Sequence, residues 1–388
     1  MSMLNEVRPV DTTVRDRSFM GRVKEIIPWK GDDAKEIIRK LIYIVAVVVL
    51  IYSAYSIYVY KAGDQDIHKD KDYLSNLFHQ GEQTPGNVVN PDDDNILTPP
   101  VTTAPDDDKS PDVSETDVSG EDTVPEVTPP VNSKYPLGML PKYEALYDIN
   151  PDIIGWLRID GLTDKDGNSY IDYPVVQTTD NDYYLNHDFF GADKDYGTLF
   201  ADYHRQITKD FTPQNTIIYG HNMGAGTYFS HLHDYKKRAS FVSEHRLINY
   251  STLYEENDYI IVGCFLIGIR EDQDTLPLFR YHLIFDFNTI EDFDYWYQNV
   301  LYRSYYTTDI DCNMDDEYIT LSTCSTEFYD SRFVVVARKL RDGEDPSVYN
   351  YYSNPKVRKP AAFYEAYGMK VPKDDGPYYQ YYGKNNDD

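Results

Sequence analysis

Twenty residues near the N-terminus, Leu41 to Tyr60, form an apolar run without a charged side chain. At about 1.5 Å per helical residue such a run spans about 30 Å, the thickness of the hydrocarbon core of a bilayer. A secretory signal peptide is the alternative, but its apolar region is typically about 7 to 15 residues long and precedes a small-residue cleavage site. The sequence therefore favours an uncleaved transmembrane helix.

The charges that flank this run predict how the helix crosses the membrane. Basic side chains, among them Arg39 and Lys40, precede the run within residues 1–40, and two aspartates follow it. Cytoplasmic flanks of membrane helices carry an excess of Lys and Arg. The sequence therefore predicts a single-pass protein of the cell membrane, with residues 1–40 inside and everything from Lys61 onward outside the cell.

Residues 61–133 are predicted to be an extracellular linker. A short helix with one apolar stripe is expected from His68 to Gln80. From Gly81 to Ser133 the chain is rich in Pro, Thr and acid, with an Asp-Asp-Asp run at 92–94 and another at 106–108. Such a composition buries too little apolar surface to order the chain, which predicts a disordered acidic tether. The acidic runs lack the alternate spacing and the glycine of a calcium loop, so no metal site is predicted.

The composition excludes some classes of function. The formal charge is −28, from 37 basic and 65 acidic residues. Phosphate backbones bind to basic surfaces, so no nucleic-acid partner is expected. The three cysteines, Cys264, Cys312 and Cys324, are too few and too scattered for a disulfide framework or a zinc site. The sequence indicates no cofactor.

Residues 134–340 have the pattern of a mainly β domain. Short runs of β-branched and aromatic residues alternate with Gly, Asn and Asp turns. Strands are predicted at Ile154–Ile159, Ser169–Gln177, Gly197–Asp202, Asn215–His221, Arg246–Leu253, Tyr259–Ile269, Tyr318–Thr323 and Phe333–Ala337. Helices are predicted at Lys142–Asp148, Tyr228–Ser240 and Ile290–Tyr302. Many short strands and few helices favour a closed or nearly closed β-barrel.

The last two predicted strands bring a thiol and a guanidinium to one end of the sheet. Cys324 lies at the exit of one strand and Arg332 at the entry of the next, with the polar connection Ser325–Ser331 between them. A guanidinium stabilises a nearby thiolate and can also hold an oxyanion. The alternative is a buried free cysteine beside a solvated arginine.

The other two cysteines are poorer candidates for a nucleophile. Cys264 lies inside an apolar strand and is predicted to belong to the core. Cys312 lies in a polar loop whose acidic residues raise the pKa of a thiol and leave less thiolate at neutral pH. Alternation along the strand puts Thr320 and Ser322 on the same face as Cys324. We therefore expect both to line the floor of a groove that leads to the thiol.

One histidine lies at a strand end like the thiol and the guanidinium. His221 ends the apolar run Thr-Ile-Ile-Tyr and precedes Asn222. A lone histidine in such a place is usually structural, but Cys324 and Arg332 at similar strand ends favour a catalytic role. His231 and His233 point to nearly opposite faces of a predicted helix, which is poor for a shared site. Four histidines are therefore expected to be surface or packing residues: His187, His231, His233 and His245.

Three motifs resemble those of the sortases, the cysteine transpeptidases of Gram-positive cell surfaces. T-L-S-T-C at 320–324 with Arg332 at the head of the next strand resembles the sortase signature. Y-G-H-N at 219–222 and the run from D-Y-P-V-V-Q to N-H-D-F at 172–189 are similar to class B. The resemblance covers roughly Pro141 to Leu340. It implies an eight-stranded sortase barrel with a few peripheral helices, and a helix in the long connection before the cysteine strand.

The resemblance also implies a reaction. The Cys324 thiolate attacks a peptide carbonyl, Arg332 and a backbone N–H stabilise the oxyanion, and His221 protonates the leaving amine. Class B sortases cleave surface proteins after the Thr of an N-P-x-T-x-like sorting motif near the C-terminus, and a peptidoglycan amine resolves the thioacyl intermediate. We expect Thr323 and Asn222, which adjoin these residues, to contact substrate.

Other functions remain open at the level of the sequence. The acceptor could differ, as in a pilin-polymerising sortase or a plain cysteine protease. A non-catalytic surface-binding module is a further alternative, but such a module has no need of a Cys–His–Arg set.

Residues 341–388 form a Tyr-rich tail, whereas the class B pattern normally ends close to the last barrel strand. The tail contains no apolar span, which argues against the C-terminal anchor of class C sortases. Its tyrosines could pack on the barrel, contact glycan or remain disordered, and the sequence does not choose among these.

Overall fold

The computed structural model describes residues 19–83 and 134–373. Most of the predicted acidic tether and the last residues of the Tyr-rich tail lie outside these ranges. The chain divides into two compact units, and the boundary falls between Lys69 and Asp70.

The first unit contains α1 (Phe19–Ile26) and the first part of α2 (Ala34–Gln83). Helix α2 includes the predicted transmembrane run, and its most apolar window has a mean hydropathy of 2.2. Within the described ranges it is the one helix that length and composition would allow to cross a membrane. Before the apolar run, Lys40 Nζ lies 2.9 Å from an Asp32 carboxylate oxygen and donates to the carbonyl of Lys24. The contact joins the two helices at this end of α2.

The second unit is built around a closed barrel of eight strands, which confirms the predicted fold. The barrel strands are β1 (Ile153–Arg158), β2 (Asp172–Val176), β3 (Leu199–Ala201), β4 (Asn215–Tyr219), β5 (Leu247–Thr252), β6 (Glu256–Gly268), β8 (Tyr318–Ser325) and β9 (Ser331–Lys339). A separate short strand, β7 (Tyr306–Thr308), lies between β6 and β8 in the chain. The order around the barrel is β1-β2-β3-β4-β8-β9-β6-β5. The β2–β3 and β4–β8 pairs are parallel and the others antiparallel.

The central strands are buried on both faces because a helix covers their outer side. Residues 318–323 of β8 and 333–338 of β9 are all buried. Helix α5 (Ile290–Arg303) packs over them, with the Trp296 ring centroid 4.8 Å from that of Tyr318. Its close approach to β6 requires a glycine, since a Cβ at Gly263 would lie 2.7 Å from Val300 Cγ1. The helix thus fixes the outer side of the strand pair that carries Cys324 and Arg332.

Two of the predicted helices have different outcomes. Helix α5 begins where the sequence indicates, because Thr289 and Asp292 form a reciprocal N-terminal cap. The helix predicted at Tyr228–Ser240 is instead a 3₁₀ helix, Ser230–Lys236, followed by α4 (Ala239–Glu244). Arg238 between them is extended, with φ −164° and ψ 150°, and interrupts the helix.

The last part of α2, from Asp70 to Gln83, belongs to the barrel unit. Leu74 and Phe78 are buried in an apolar cluster, and the Phe78 ring stacks on Trp156 at 4.4 Å. The structure therefore differs from the expected boundary near Lys134, because the apolar stripe of this helix has a partner in the barrel. The acidic segment 84–133 consequently joins two parts of one compact unit.

The start of the barrel unit after the acidic segment is helical, as predicted. A 3₁₀ turn, Pro141–Tyr143, leads into α3 (Glu144–Ile149). Tyr143 and Leu146 are fully buried in the same cluster as Phe78. This helical entry and the end of α2 therefore cover the same part of the barrel.

The described part of the tail packs on the barrel unit. Strand β10 (Tyr351–Ser353) pairs with β7, and Tyr351 donates its hydroxyl to the carbonyl of Ile261 at 2.7 Å. Helix α6 (Ala361–Ala366) follows, with Phe363 buried. Of the three possibilities for the tail tyrosines, packing on the barrel holds for Tyr351.

Candidate active site

Strand pairing places the predicted catalytic side chains at one end of the barrel. Cys324 is directly opposite Arg332 in the antiparallel β8–β9 pair. On the other side of β8, strand β4 runs parallel to it with Tyr219 opposite Ser322. The Gly220 N–H continues this ladder by donating to the Ser322 carbonyl at 3.2 Å. His221, the next residue, therefore leaves the barrel at the same end as Cys324.

A groove of about 270 Å³ opens at this end of the barrel. It is lined by Asn181, Asp182, Leu185, Phe200, Tyr219, Gly220, His221, Ser322, Thr323, Cys324 and Arg332. Cys324 is exposed, while His221 and Arg332 are half-buried. The groove thus brings together the thiol, the imidazole and the guanidinium that the sequence singled out.

A backbone carbonyl fixes the orientation of the His221 ring. His221 Nε2 lies 2.9 Å from the carbonyl oxygen of Leu185. Because a carbonyl only accepts hydrogen bonds, Nε2 must carry the proton in this arrangement. The other ring nitrogen, Nδ1, is then the one that can exchange a proton with a reacting group.

Arg332 keeps most of its hydrogen-bonding capacity for the groove. Its Nη1 donates to the Ser331 carbonyl at 3.1 Å. Among the residues that the structure describes, no carboxylate forms an ion pair with this guanidinium. A planar fork of donors beside an exposed thiol can hold a carbonyl oxygen as it acquires charge.

The threonines and the serine that precede Cys324 have different positions. Ser322 lines the groove, and its Oγ lies 2.7 Å from the hydroxyl of Tyr281. Thr323 also lines it and donates to the Gly220 carbonyl at 2.7 Å. Thr320 is fully buried and donates to Asn215 Oδ1 at 2.7 Å, so it lies below the groove and not in its lining. The alternation of side chains along a strand predicts which face Thr320 lies on. It does not predict that Thr320 is too deep in the barrel to reach the groove surface.

Comparison with known proteins identifies the family. No protein-family model matches the chain. Sortase B of Listeria monocytogenes serovar 1/2a is 34% identical over 196 residues, which cover 50% of this chain and 72% of that protein. The chain belongs to the sortase B family. It is therefore a sortase-type cysteine transpeptidase of class B.

Further sortases match the chain over a similar length. Sortase B of Staphylococcus aureus is 28% identical over 211 residues, covering 54% of this chain and 79% of that protein. A solved S. aureus sortase B–substrate complex is 27% identical with a TM-score of 0.45, and covers 53% of this chain and 88% of its own. A Bacillus anthracis structure similar to sortase B is 30% identical with a TM-score of 0.44, at 52% and 85% coverage.

The backbone carbonyl of the cysteine is held by two side chains of this sortase. Asn222 Nδ2 lies 3.1 Å from the Cys324 carbonyl oxygen, and His233 Nε2 lies 3.0 Å from the same atom. Burial lowers the pKa of His233, which favours its neutral form with one N–H. Asn222 therefore adjoins the groove but does not line it, and it contacts the backbone of Cys324.

His233 is a site residue that the sequence analysis placed among surface and packing residues. It lies in the 3₁₀ helix that follows the β4 strand end, which returns the chain to the thiol. Its neighbour His231 instead stacks on Tyr170 at 3.5 Å and contacts Asp234 at 2.9 Å. The opposite directions of the two rings were predictable, but the partner of each was not.

The other cysteines of this sortase are poor nucleophiles. Cys264 is buried, and burial raises its pKa. Burial is also the main reason that the pKa of Cys312 rises to about 11, with Asp316 contributing less. The expected acidic effect on Cys312 is therefore present but secondary. Of the three cysteines, Cys324 is the exposed one.

A buried carboxylate behind the groove orients two of its lining residues. Asp202 Oδ2 accepts from the Tyr219 hydroxyl at 2.8 Å and from Asn181 Nδ2 at 2.9 Å. Its Oδ1 lies 2.6 Å from His204 Nδ1. Burial raises the pKa of Tyr219, so its phenol stays protonated and donates. The sequence analysis did not identify Asn181 and Tyr219 as groove residues, because Asp202 joins them only in the folded barrel.

Proposed function

We propose that Cys324 is the nucleophile of a membrane-anchored sortase that cleaves an N-P-x-T-x-like sorting motif after its Thr. The observation that carries this proposal is the pairing of Cys324 with Arg332 across β8 and β9, with His221 in the same groove. The exposure of this thiol supports the choice of nucleophile, since Cys264 is buried, Cys312 is half-buried and the pKa of both is raised.

The first half of the reaction forms a thioester. The Cys324 thiolate attacks the carbonyl carbon of the motif's Thr, and the Arg332 guanidinium and a backbone N–H stabilise the oxyanion. The bond from this carbon to the next nitrogen then breaks. His221 donates a proton through Nδ1 to the leaving amine, since Nε2 is engaged by the Leu185 carbonyl.

The second half transfers the acyl group to an amine of the peptidoglycan. The amine attacks the thioester carbon while His221 accepts its proton, and the bond to sulfur breaks to release the thiolate. The product is a surface protein joined to the cell wall by an amide bond. We propose that the hydroxyls of Ser322 and Thr323 and the apolar walls at Leu185 and Phe200 contact the motif in the groove.

The apolar part of α2 supports the proposed location. We propose that Leu41–Tyr60 anchors the enzyme as a single-pass helix with its N-terminus inside the cell. The catalytic unit would then lie outside, where both surface proteins and peptidoglycan are accessible. The basic residues before the run and the aspartates after it favour this direction.

The proposal is tested with full-length enzyme in detergent and peptides of the N-P-x-T-x type. Mass spectrometry would follow the reaction with no added amine and with triglycine, lysine or diaminopimelate. We expect cleavage after Thr, a new mass equal to the N-terminal fragment joined to one of the amines, and loss of both in Cys324→Ala. Cys312→Ala is the matched control and should retain activity.

Two results would contradict the proposal. Cleavage that persists in Cys324→Ala would exclude this thiol as the nucleophile. Hydrolysis without any amine product across the panel would favour a plain protease over a transpeptidase that uses these acceptors.

A further inference from the structure

The loop between β8 and β9 contains a carboxylate, Glu327, that is bound by side chains from outside the barrel strands. Strand β8 ends at Ser325 and β9 begins at Ser331, so a short loop separates Cys324 from Arg332. Glu327 in this loop forms an ion pair with Lys236 and accepts the Tyr367 hydroxyl at 2.6 Å. Its side chain is 16% exposed. Two separate segments therefore meet at one residue of the loop.

Tyr367 reaches this loop from the tail that the class B pattern does not predict. The root of the tail is fixed by the β10–β7 pairing. Farther on, Arg358 Nη2 donates to Asp274 Oδ1 at 2.5 Å. Tyr367 follows α6, and its ring centroid lies 4.8 Å from that of the buried Phe363. The hydroxyl of Tyr367 is thus presented to the loop by an anchored segment.

The remainder of the loop is held at its base. Gln273 Nε2 donates to the Tyr329 carbonyl at 2.5 Å. Ser331 Oγ lies 2.7 Å from the Phe328 carbonyl and 3.0 Å from that of Ser325. These bonds hold the Arg332 side of the loop and tie its two ends together, while Asn222 and His233 hold the Cys324 carbonyl. The contacts of Glu327 hold the part of the loop between its ends.

Charge makes the Glu327 contacts stronger than neutral hydrogen bonds. Burial by itself would raise the pKa of Glu327, but the hydrogen bonds from Lys236 and Tyr367 outweigh it and lower this pKa. The carboxylate is therefore ionised at neutral pH. Hydrogen bonds to an ionised acceptor contribute roughly twice as much as neutral ones.

We propose that Tyr367 is a positioning residue for the reaction proposed above, and that it acts through Glu327 to hold in place the loop that joins Cys324 to Arg332. The tail from Tyr351 to Tyr367 is then a brace for the active site. The inference rests on the proposed role of Cys324 in transpeptidation.

The test compares Tyr367→Phe with Tyr352→Phe in the full-length enzyme. Tyr352 lies on β10, is 59% exposed and undergoes the same chemical change without touching the loop. We expect Tyr367→Phe to lower kcat by about threefold to tenfold, less than the full effect of a charged hydrogen bond because Tyr367 is 55% exposed to solvent, with KM within about twofold of wild type. Hydrogen exchange of residues 325–331 should become faster. Tyr352→Phe should match wild type in both measurements.

A double-mutant cycle tests whether the effect passes through the carboxylate. Glu327→Ala removes the acceptor, so adding Tyr367→Phe to it should lower kcat no further. Glu327→Gln keeps an oxygen for the Tyr367 hydroxyl and should retain more activity than Glu327→Ala. Unchanged kcat and unchanged loop exchange in Tyr367→Phe, or fully additive effects in the cycle, would overturn the proposal.

Failure of this inference is distinguishable from failure of the proposed function. The exchange rate of the loop needs no turnover, so it reports on the brace even if Cys324 is not the nucleophile. Conversely, cleavage that depends on Cys324 but is indifferent to Tyr367 would reject the brace alone.

Discussion

At the scale of single residues, the site depends on which atoms remain available after the fold has used the others. The His221 ring has one nitrogen engaged by the Leu185 carbonyl and one free to move a proton. Arg332 spends one bond on its neighbour's carbonyl and presents the rest of its guanidinium to the groove. The distribution of bonds therefore leaves one imidazole nitrogen and most of a guanidinium available in the groove, which suits their proposed roles as acid and oxyanion donor.

Replacing Arg332 by Lys should damage catalysis although the charge is kept. A guanidinium offers a rigid planar fork to an oxyanion, whereas an ammonium is a single point of charge. Loss of one such contact typically costs about 2.7 to 4 kcal/mol, or a hundredfold to a thousandfold in kcat. Steady-state kinetics on the sorting peptide would measure this. An Arg332→Lys enzyme within about threefold of wild type would remove Arg332 from the reacting centre.

His233 should affect the rate through the backbone of Cys324, the proposed nucleophile. In His233→Ala the Cys324 carbonyl keeps Asn222 as a donor but loses the second one. We expect kcat to fall by about threefold to tenfold, the range for one neutral hydrogen bond. His231→Ala is the matched control, because that ring stacks on Tyr170 away from the thiol. Equal kinetics of the two variants would contradict this role.

At the scale of secondary-structure elements, the sequence correctly predicted the strands and helices that are determined by residues close together in the chain. The β8 and β9 strands and α5 follow from β-branched runs and from a capped helix, and the structure places them within a few residues of the prediction. The break at Arg238 and the three-residue β7–β10 pair were missed, because neither has a pattern long enough to detect. The strand ends that carry Cys324, Arg332 and His221 were predictable for the same reason as the strands themselves.

The docked end of α2 carries a pH-sensitive contact. His79 Nε2 lies 3.1 Å from Asp172, and this hydrogen bond is the main reason that the pKa of His79 rises to about 8. Because the pKa of His79 is higher in the folded than in the unfolded protein, protonation of His79 stabilises the fold. This contribution is complete below a pH of about 6.5, the unfolded pKa, and is lost as pH rises through about 8. Allowing for solvent screening, the contribution is about 1 kcal/mol.

The contribution of His79 can be measured by thermal unfolding of the detergent-solubilised enzyme at pH 6.5 and pH 9. The unfolding temperature of His79→Gln should fall less than that of wild type between these two values. His245→Gln is the control. The His245 ring packs on Phe241, and among the described residues no carboxylate is paired with it. If wild type and His79→Gln lose stability equally, the contact does not couple protonation to docking.

At the scale of the whole molecule, the packing of the end of α2 on the barrel changes how the acidic segment 84–133 is interpreted. The sequence predicted a tether between membrane and barrel that ends near Lys134. The structure instead places the end of α2 against the barrel's own entry, since a Cβ at Gly81 would lie 2.8 Å from Lys142 Cα. Both ends of the segment 84–133 thus belong to the same compact unit. Composition alone could not reveal this, because it depends on Phe78 meeting Trp156.

Replacing residues 84–133 by a 12-residue Gly/Ser linker should therefore leave both cleavage and surface anchoring intact. Twelve extended residues reach about 40 Å, which is enough because Gly81, just before the segment, lies against Lys142, shortly after it. Closing a loop about four times shorter costs about 1.2 kcal/mol less entropy, so the unfolding temperature should stay the same or rise slightly. A tether that sets the distance between membrane and barrel would give the opposite result in cells. Cell-surface display of a reporter protein that carries the sorting motif distinguishes these two possibilities. Unchanged display supports a loop within the folded unit. Reduced display with normal peptide cleavage would instead show that the segment acts as a tether.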